Sequence, residues 1–288
     1  MTEARDNPAA RSTRQRLLNR SRETGDDYNL LLTWFGVERL LYRLSRSEHA
    51  DAFILKGAML FAAWTGTTYR PTRDLDLLGF GDASAERLVS LFCGLCATRV
   101  EDDGLRFDPE TVTCEPIRDE QVYGGMRVKL LAFLGNARIS LQIDIGFGDV
   151  VTPEAKLTEF PTLLDHPAPV IRAYPVETVV AEKLEAIVSL GMGNSRMKDF
   201  YDLWVLTREF DLDNAVVAEA IQATFKRRQT PIPATLPVAL SEEFTADPTK
   251  PAQWTGFLTR SGLAADLELA DVVAVIRDRF APLIGVKT

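Results

Sequence analysis

The sequence predicts an α/β chain, with a core of strands and helices over about residues 50–150 between helical flanks. Two segments alternate with period two, DLDLLGF at 74–80 and ARISLQIDIGFGD at 137–149, as half-buried strands do. Other segments carry apolar residues at helical spacing, chief among them ETVVAEKLEAIVSLG at 177–191 and RMKDFYDLWVLTREF at 196–210. With 46% hydrophobic and 26% charged residues over 288 positions, the chain has enough apolar material for a real core and none of the bias of a disordered one.

Residues 1–25 are polar and basic and are expected to be frayed or partly helical. In 26–48, Leu30, Trp34, Val37, Leu41 and Leu44 recur as one face of an amphipathic helix. AFILK at 52–56 reads as a short buried strand, Gly57 as its end, and AMLFAAW as a helix. A Gly/Thr/Pro connection then leads into the strand at 74–80, and residues 83–96 form another amphipathic helix. Strands are expected around 98–101, 111–117 and 124–134, before the one containing Leu141, Ile143 and Ile145. From about 150 a proline-rich connection leads to two strong helices and a mostly helical remainder, looser at 229–251. These shifts divide the chain into a basic arm and helix (1–50), an α/β core (51–152) and a helical part (153–288).

No apolar stretch approaches the roughly 20 residues that cross a bilayer, and the N-terminus has no signal-like hydrophobic segment, so a cytoplasmic protein without membrane contact is expected. Cys93 and Cys96 form a lone C-x-x-C; without a second ligand pair they read as small hydrophobes of a buried helix. The net charge of −8 repels nucleic acid in bulk, so any RNA would be met locally. Two basic runs are candidates: the N-terminal arginines Arg5, Arg11, Arg14, Arg16, Arg20 and Arg22, and Lys226-Arg227-Arg228. Either would serve equally as a solvated face.

The chemistry centres on Asp74 and Asp76. Positions i and i+2 of a strand share a face, so the two carboxylates stand together while Leu75 and Leu77 bury. Like charges that close remain ionised together when a cation sits between them. Mg²⁺ suits such a pair, taking carboxylate, water and phosphate oxygens. Asp144, between two isoleucines on another strand, is the candidate third carboxylate. The alternative is acids decorating a strand end, although acids are depleted in strands. Lys56-Gly57, at a strand end opening a helix, and Arg70, Thr72 and Arg73, just before the first aspartate, are candidate phosphate contacts. They would equally be turn punctuation and exposed loop residues. Lys183 lies beside the apolar stripe of its helix, placed either to reach a triphosphate or to snorkel. Asp199 and Asp202 share a face near a helix start, where the dipole alone accounts for acids. Arg196 and Lys198 at that helix mouth are further phosphate candidates.

Taken together, Leu55-Lys56-Gly57-Ala58, Arg70-x-Thr72-x-Asp74-Leu75-Asp76-Leu77, Gln142-Ile143-Asp144, Val180-Ala181-Glu182-Lys183-Leu184 and Lys198-Asp199-Phe200-Tyr201-Asp202-Leu203 resemble the AbiEii/AbiGii toxin family, nucleotidyltransferases of type IV-like toxin–antitoxin and abortive-infection systems. The resemblance runs from about residue 28 to about 228. It implies a polymerase β-like nucleotidyltransferase core with a mixed sheet, and transfer of a nucleotide from an NTP with release of pyrophosphate. Some family members modify the 3′ acceptor end of tRNA and block translation, and an antitoxin encoded alongside is the implied partner. By the same resemblance Asp74 and Asp76 are metal ligands for Mg²⁺ or Mn²⁺, and Asp144 is the third carboxylate. Lys183 contacts nucleotide phosphates, and Asp202 completes the last active-site motif. One departure stands out: the family's glycine pair is usually followed by a hydroxyl residue, whereas here Gly57-Ala58 is followed by Met59. Transfer to a protein or small-molecule acceptor, and a non-catalytic nucleotide-binding module, are the competing readings.

Overall fold

The computed structural model describes residues 7–66, 69–117 and 124–286. They fall into two compact units. The first comprises residues up to 148 together with 156–173, and the second comprises 149–155 together with the chain from 174.

The first unit opens with helix α1 (Pro8–Thr24). The segment expected to be frayed or partly helical is helical from Pro8, held by local chemistry: the Asn7 side chain accepts from the Ala9 amide, Pro8 sits in the first turn, and Gly25 ends the helix with φ of 81°. Helix α2 (Tyr28–Ser45) starts at Asp27, whose side chain accepts from the Leu30 amide. Strand β1 (Phe53–Lys56), helix α3 (Met59–Thr65), strand β2 (Asp74–Gly79), helix α4 (Ala85–Ala97) and strands β3 (Leu105–Pro116), β4 (Met126–Leu134), β5 (Ala137–Phe147), β6 (Lys156–Glu159) and β7 (Val170–Ala173) follow. The strands form one mixed sheet in the order β3-β4-β5-β2-β1-β7-β6. β2 runs parallel to β5, and β1 to β7, while the remaining neighbours are antiparallel.

Alternation decides what each face of the sheet does. Leu55, Leu75, Leu77, Val128, Leu141, Ile143 and Ile145 are buried on one face. Helix α2 lies against that face so closely that a Cβ on Gly36 would sit 3.0 Å from the Leu141 side chain. Helix α4 joins it, with Phe92 edge-on to Phe53. The opposite positions carry the acids, beside the buried pair Ile54 and Leu78.

Three expectations need correction. Residues 98–101 contain no strand; they lead from the end of α4 towards β3. β3 is longer than expected and begins at Leu105. The proline-rich connection contains β6 and β7, each of only four residues, too short for alternation to stand out between prolines.

The second unit is helical: α5 (Val176–Leu190), α6 (Met197–Glu209), α7 (Asn214–Arg227), α8 (Glu242–Ala246), α9 (Thr249–Ser261) and α10 (Leu269–Phe280). α5 packs on α6 and α7, and α6 on α10. Phe200 of α6 stacks on Phe244 of α8 with ring centroids 5.3 Å apart. Among the described residues no helix is long and apolar enough to cross a membrane.

Candidate active site

Sheet register lines up the charged residues of the first unit. Asp76 is the partner of Lys56 on β1 and of Asp144 on β5. Asp144 is in turn the partner of Arg127 on β4, and Arg127 of Glu115 on β3. Paired positions share a face, so Lys56, Asp76, Asp144, Arg127 and Glu115 form one row across five strands. Asp74, two residues before Asp76, stands on the same face beside Gln142. None of the three aspartates points into the apolar layer. Asp74 is exposed, and Asp76 and Asp144 are half-buried.

Gly57 shapes this row. Its φ of 74° belongs to the left-handed region, and a Cβ there would lie 2.0 Å from Asp76 Oδ2. The bare backbone leaves the Asp76 carboxylate its space. Ala58 follows, buried, at the N-cap of α3 with no side-chain capping bond. Thr72 donates its hydroxyl to the Asp74 backbone carbonyl at 3.5 Å. Arg70 is half-buried and Arg73 exposed.

Asp144 has a partner that local spacing does not single out. Arg127 donates from Nε to Oδ1 at 2.8 Å and from Nη2 to Oδ2 at 2.7 Å. The hydrogen bonds to Asp144, then the negative charges of Asp144, Asp74 and Glu115, hold the guanidinium proton more firmly than usual despite partial burial. Among the described residues, no three His, Cys, Asp or Glu side chains meet in an arrangement that would hold a metal ion. Asp74 and Asp76, two residues apart on one face of β2, are the carboxylates that would hold such an ion. A pair fits Mg²⁺, which is ordinarily held by one or two carboxylates with waters and substrate phosphates supplying the rest.

In the second unit Lys183 on α5 lies 2.8 Å from Asp199 and 2.8 Å from Asp202, both on α6 and both buried. Arg196 Nε reaches the other Asp199 oxygen at 2.8 Å. Burial pushes the Asp199 carboxyl up, but the charges of Lys183 and Arg196 and the lysine hydrogen bond outweigh it and hold the group below its ordinary value. Lys183 is thus neither a snorkelling surface lysine nor a solitary one. Asp199 and Asp202 answer to a half-buried cation as well as to the helix dipole. Lys198 points to solvent.

Other basic and sulfur-bearing candidates sort themselves by their partners. Arg228 is half-buried in an acidic nest, 3.2 Å from Asp149, 3.4 Å from Glu182 and 2.8 Å from Glu185. That arginine is withdrawn from any solvated basic face, while Lys226 and Arg227 before it are exposed. Arg5 lies outside the described residues, and Arg11, Arg20 and Arg22 of α1 are exposed. Cys93 and Cys96 are free thiols, and burial pushes Cys96 up to about 12.

No curated protein matches the chain. Two solved structures align loosely, each at 14% identity over 85% of this chain. They are JHP933 from Helicobacter pylori (87% of that chain, TM-score 0.46) and a putative nucleotidyltransferase from H. pylori (90%, TM-score 0.44). Such a distant likeness carries no chemistry. The model of one family, described as the nucleotidyl transferase AbiEii toxin of type IV toxin–antitoxin systems, matches residues 39–275, which include every aspartate and lysine of the two clusters. The chain belongs to the AbiEii nucleotidyl transferase toxin family and is a nucleotidyltransferase.

Proposed function

We propose that the protein transfers a nucleotide from an NTP to the 3′ acceptor end of tRNA with the help of Mg²⁺, and that this transfer blocks translation. The observation that carries the reading is the pair Asp74–Asp76, with Asp144 in register beside it, on the face of the sheet opposite the apolar core. In the reaction an acceptor hydroxyl attacks the α-phosphate, the bond to the β-phosphate oxygen breaks, and pyrophosphate leaves. The bound cation supplies Lewis-acid stabilisation of the charge on these oxygens.

The chain's own residues take the remaining tasks. Asp74 and Asp76 provide the carboxylates, and Gly57 gives Asp76 the room to turn its oxygens outward. Lys56, in register with Asp76, and the loop residues Arg70, Thr72 and Arg73 are assigned to the triphosphate. Ala58 and Met59 offer no hydroxyl there, so backbone amides and basic side chains carry that role. Lys183 and Asp202 are assigned to the same reaction by the family's motifs, with Asp199, Arg196 and Lys198 as neighbours of that cluster. A cognate antitoxin is the proposed protein partner. The exposed arginines of α1 are the local positive surface through which an acidic protein would meet RNA.

The test is incubation with radiolabelled NTPs, Mg²⁺ and total tRNA. Label should enter RNase-sensitive material with the wild type and not with Asp76→Asn. Label in protease-sensitive or small-molecule material would move the acceptor to another class. Nucleotide binding without any transfer would leave a non-catalytic module.

A further inference from the structure

The row of charges across the sheet contains a cation of its own, and it sits where the third carboxylate is needed. Arg127 grips both oxygens of Asp144 in the parallel two-bond geometry that guanidinium and carboxylate favour. The pair is only partly open to solvent, with side-chain exposures of 32% for Arg127 and 18% for Asp144. A divalent ion bonded to Asp144 would need one of those oxygens and would repel the guanidinium at close range. The two cations compete for one ligand.

The next partner in the row gives the guanidinium somewhere to go. Glu115 is the register neighbour of Arg127 on β3, and Lys129, one same-face position along β4, holds the Glu115 carboxylate at 2.6 Å. Arg127 therefore stands between two carboxylates on adjacent strands and is engaged with the one beside Asp76. Resting on the nucleotidyltransferase reading above, we propose that Arg127 is a positioning residue that keeps Asp144 occupied in the substrate-free protein. Asp74 and Asp76 then act as a two-carboxylate site, and Asp144 joins them only when the guanidinium releases it, towards Glu115 or an incoming phosphate. The third carboxylate is gated by an arginine built into the sheet.

The experiment is Mn²⁺ binding to the full chain, followed by electron paramagnetic resonance without nucleotide or acceptor. Arg127→Gln removes the competitor and should bind Mn²⁺ more tightly than wild type, by about fivefold for a partly exposed ion pair. Arg127→Lys, which keeps the charge but not the two-bond grip, should lie between them and serves as the comparison if the glutamine variant fails to fold. Adding Asp144→Asn to Arg127→Gln should abolish the gain, which a merely structural arginine would not do. Equal Mn²⁺ affinity in wild type and Arg127→Gln, with binding still abolished in Asp76→Asn, overturns the gate and leaves the carboxylate pair standing. Unchanged binding in Asp76→Asn overturns the carboxylate reading and the gate with it.

Discussion

Two residues hold their clusters to narrow chemical limits. At Gly57 an alanine would meet a left-handed backbone and the Asp76 carboxylate at once. The backbone strain alone costs about 1–3 kcal/mol, and relief requires moving the carboxylate. Gly57→Ala is expected to lower the urea midpoint modestly and to abolish nucleotide transfer; full transfer would remove Gly57 from the site. At Asp199, burial opposes the charge but Lys183 and Arg196 outweigh it. A carboxyl held below its ordinary value adds stability above that value, and the contribution disappears as pH falls through the folded pKa. Asp199→Asn should therefore flatten the acid side of the stability profile, read from urea midpoints between about pH 2 and pH 5. That Asp74 and Asp76 share a face, and that Lys183 lies beside the apolar stripe of its helix, is legible from spacing because both are local relations, whereas the partners of Lys183 on α6 are not. Arg127 is not, since its importance depends on which residue of β5 lies opposite it, and register is a non-local property that β4 alone does not carry.

Elements repeat that division between local and distant information. The helices announce themselves through apolar spacing, and the structure adds side-chain caps at Asp27 and Asp213. The strand expected at 98–101 is absent, while β6 and β7 hide in a proline-rich stretch that pairs with β1 only through the fold. Helix α2 contains a polar core invisible to periodicity. Glu38, Arg39 and Arg43 are buried on it, with Arg39 and Arg43 both reaching Asp103 and Glu38 accepting from the Leu163 amide at 2.8 Å. Burial pushes Glu38 from 4.5 up to about 7, against the Leu163 hydrogen bond and the Arg39 charge. The folded state thus holds this proton more tightly than the unfolded chain. The associated stability is complete below pH 4.5 and disappears as pH rises through about 7. A shift of that size corresponds to about 3 kcal/mol. Glu38→Gln should remove this contribution from the pH dependence of the unfolding free energy across the window, and a slope equal to wild type would show that Glu38 is already ionised in the fold.

At the scale of the whole molecule, charge sets the terms on which RNA can be met. A net charge of −8 disfavours a polyanion everywhere except where positive charge is concentrated. Helix α1 concentrates it, with five arginines and one glutamate in 17 residues. Arg16 is turned to Asp165 at 2.7 Å and Arg20 donates to the Leu163 carbonyl at 3.4 Å, and Arg11, Arg20 and Arg22 are the exposed arginines of the helix. Arginines set against phosphates act by releasing counterions, so their signature is the slope of log affinity against log salt rather than affinity at one salt. If α1 bears on the acceptor, replacing these three arginines with serine should make that slope shallower for tRNA, by about 0.7–0.9 for each phosphate no longer neutralised. Mn²⁺ binding at the sheet should stay as in wild type. Parallel salt dependences for the variant and wild type would take α1 out of the acceptor's path and leave its arginines as a solvated face, with the acceptor to be sought among molecules that carry little charge.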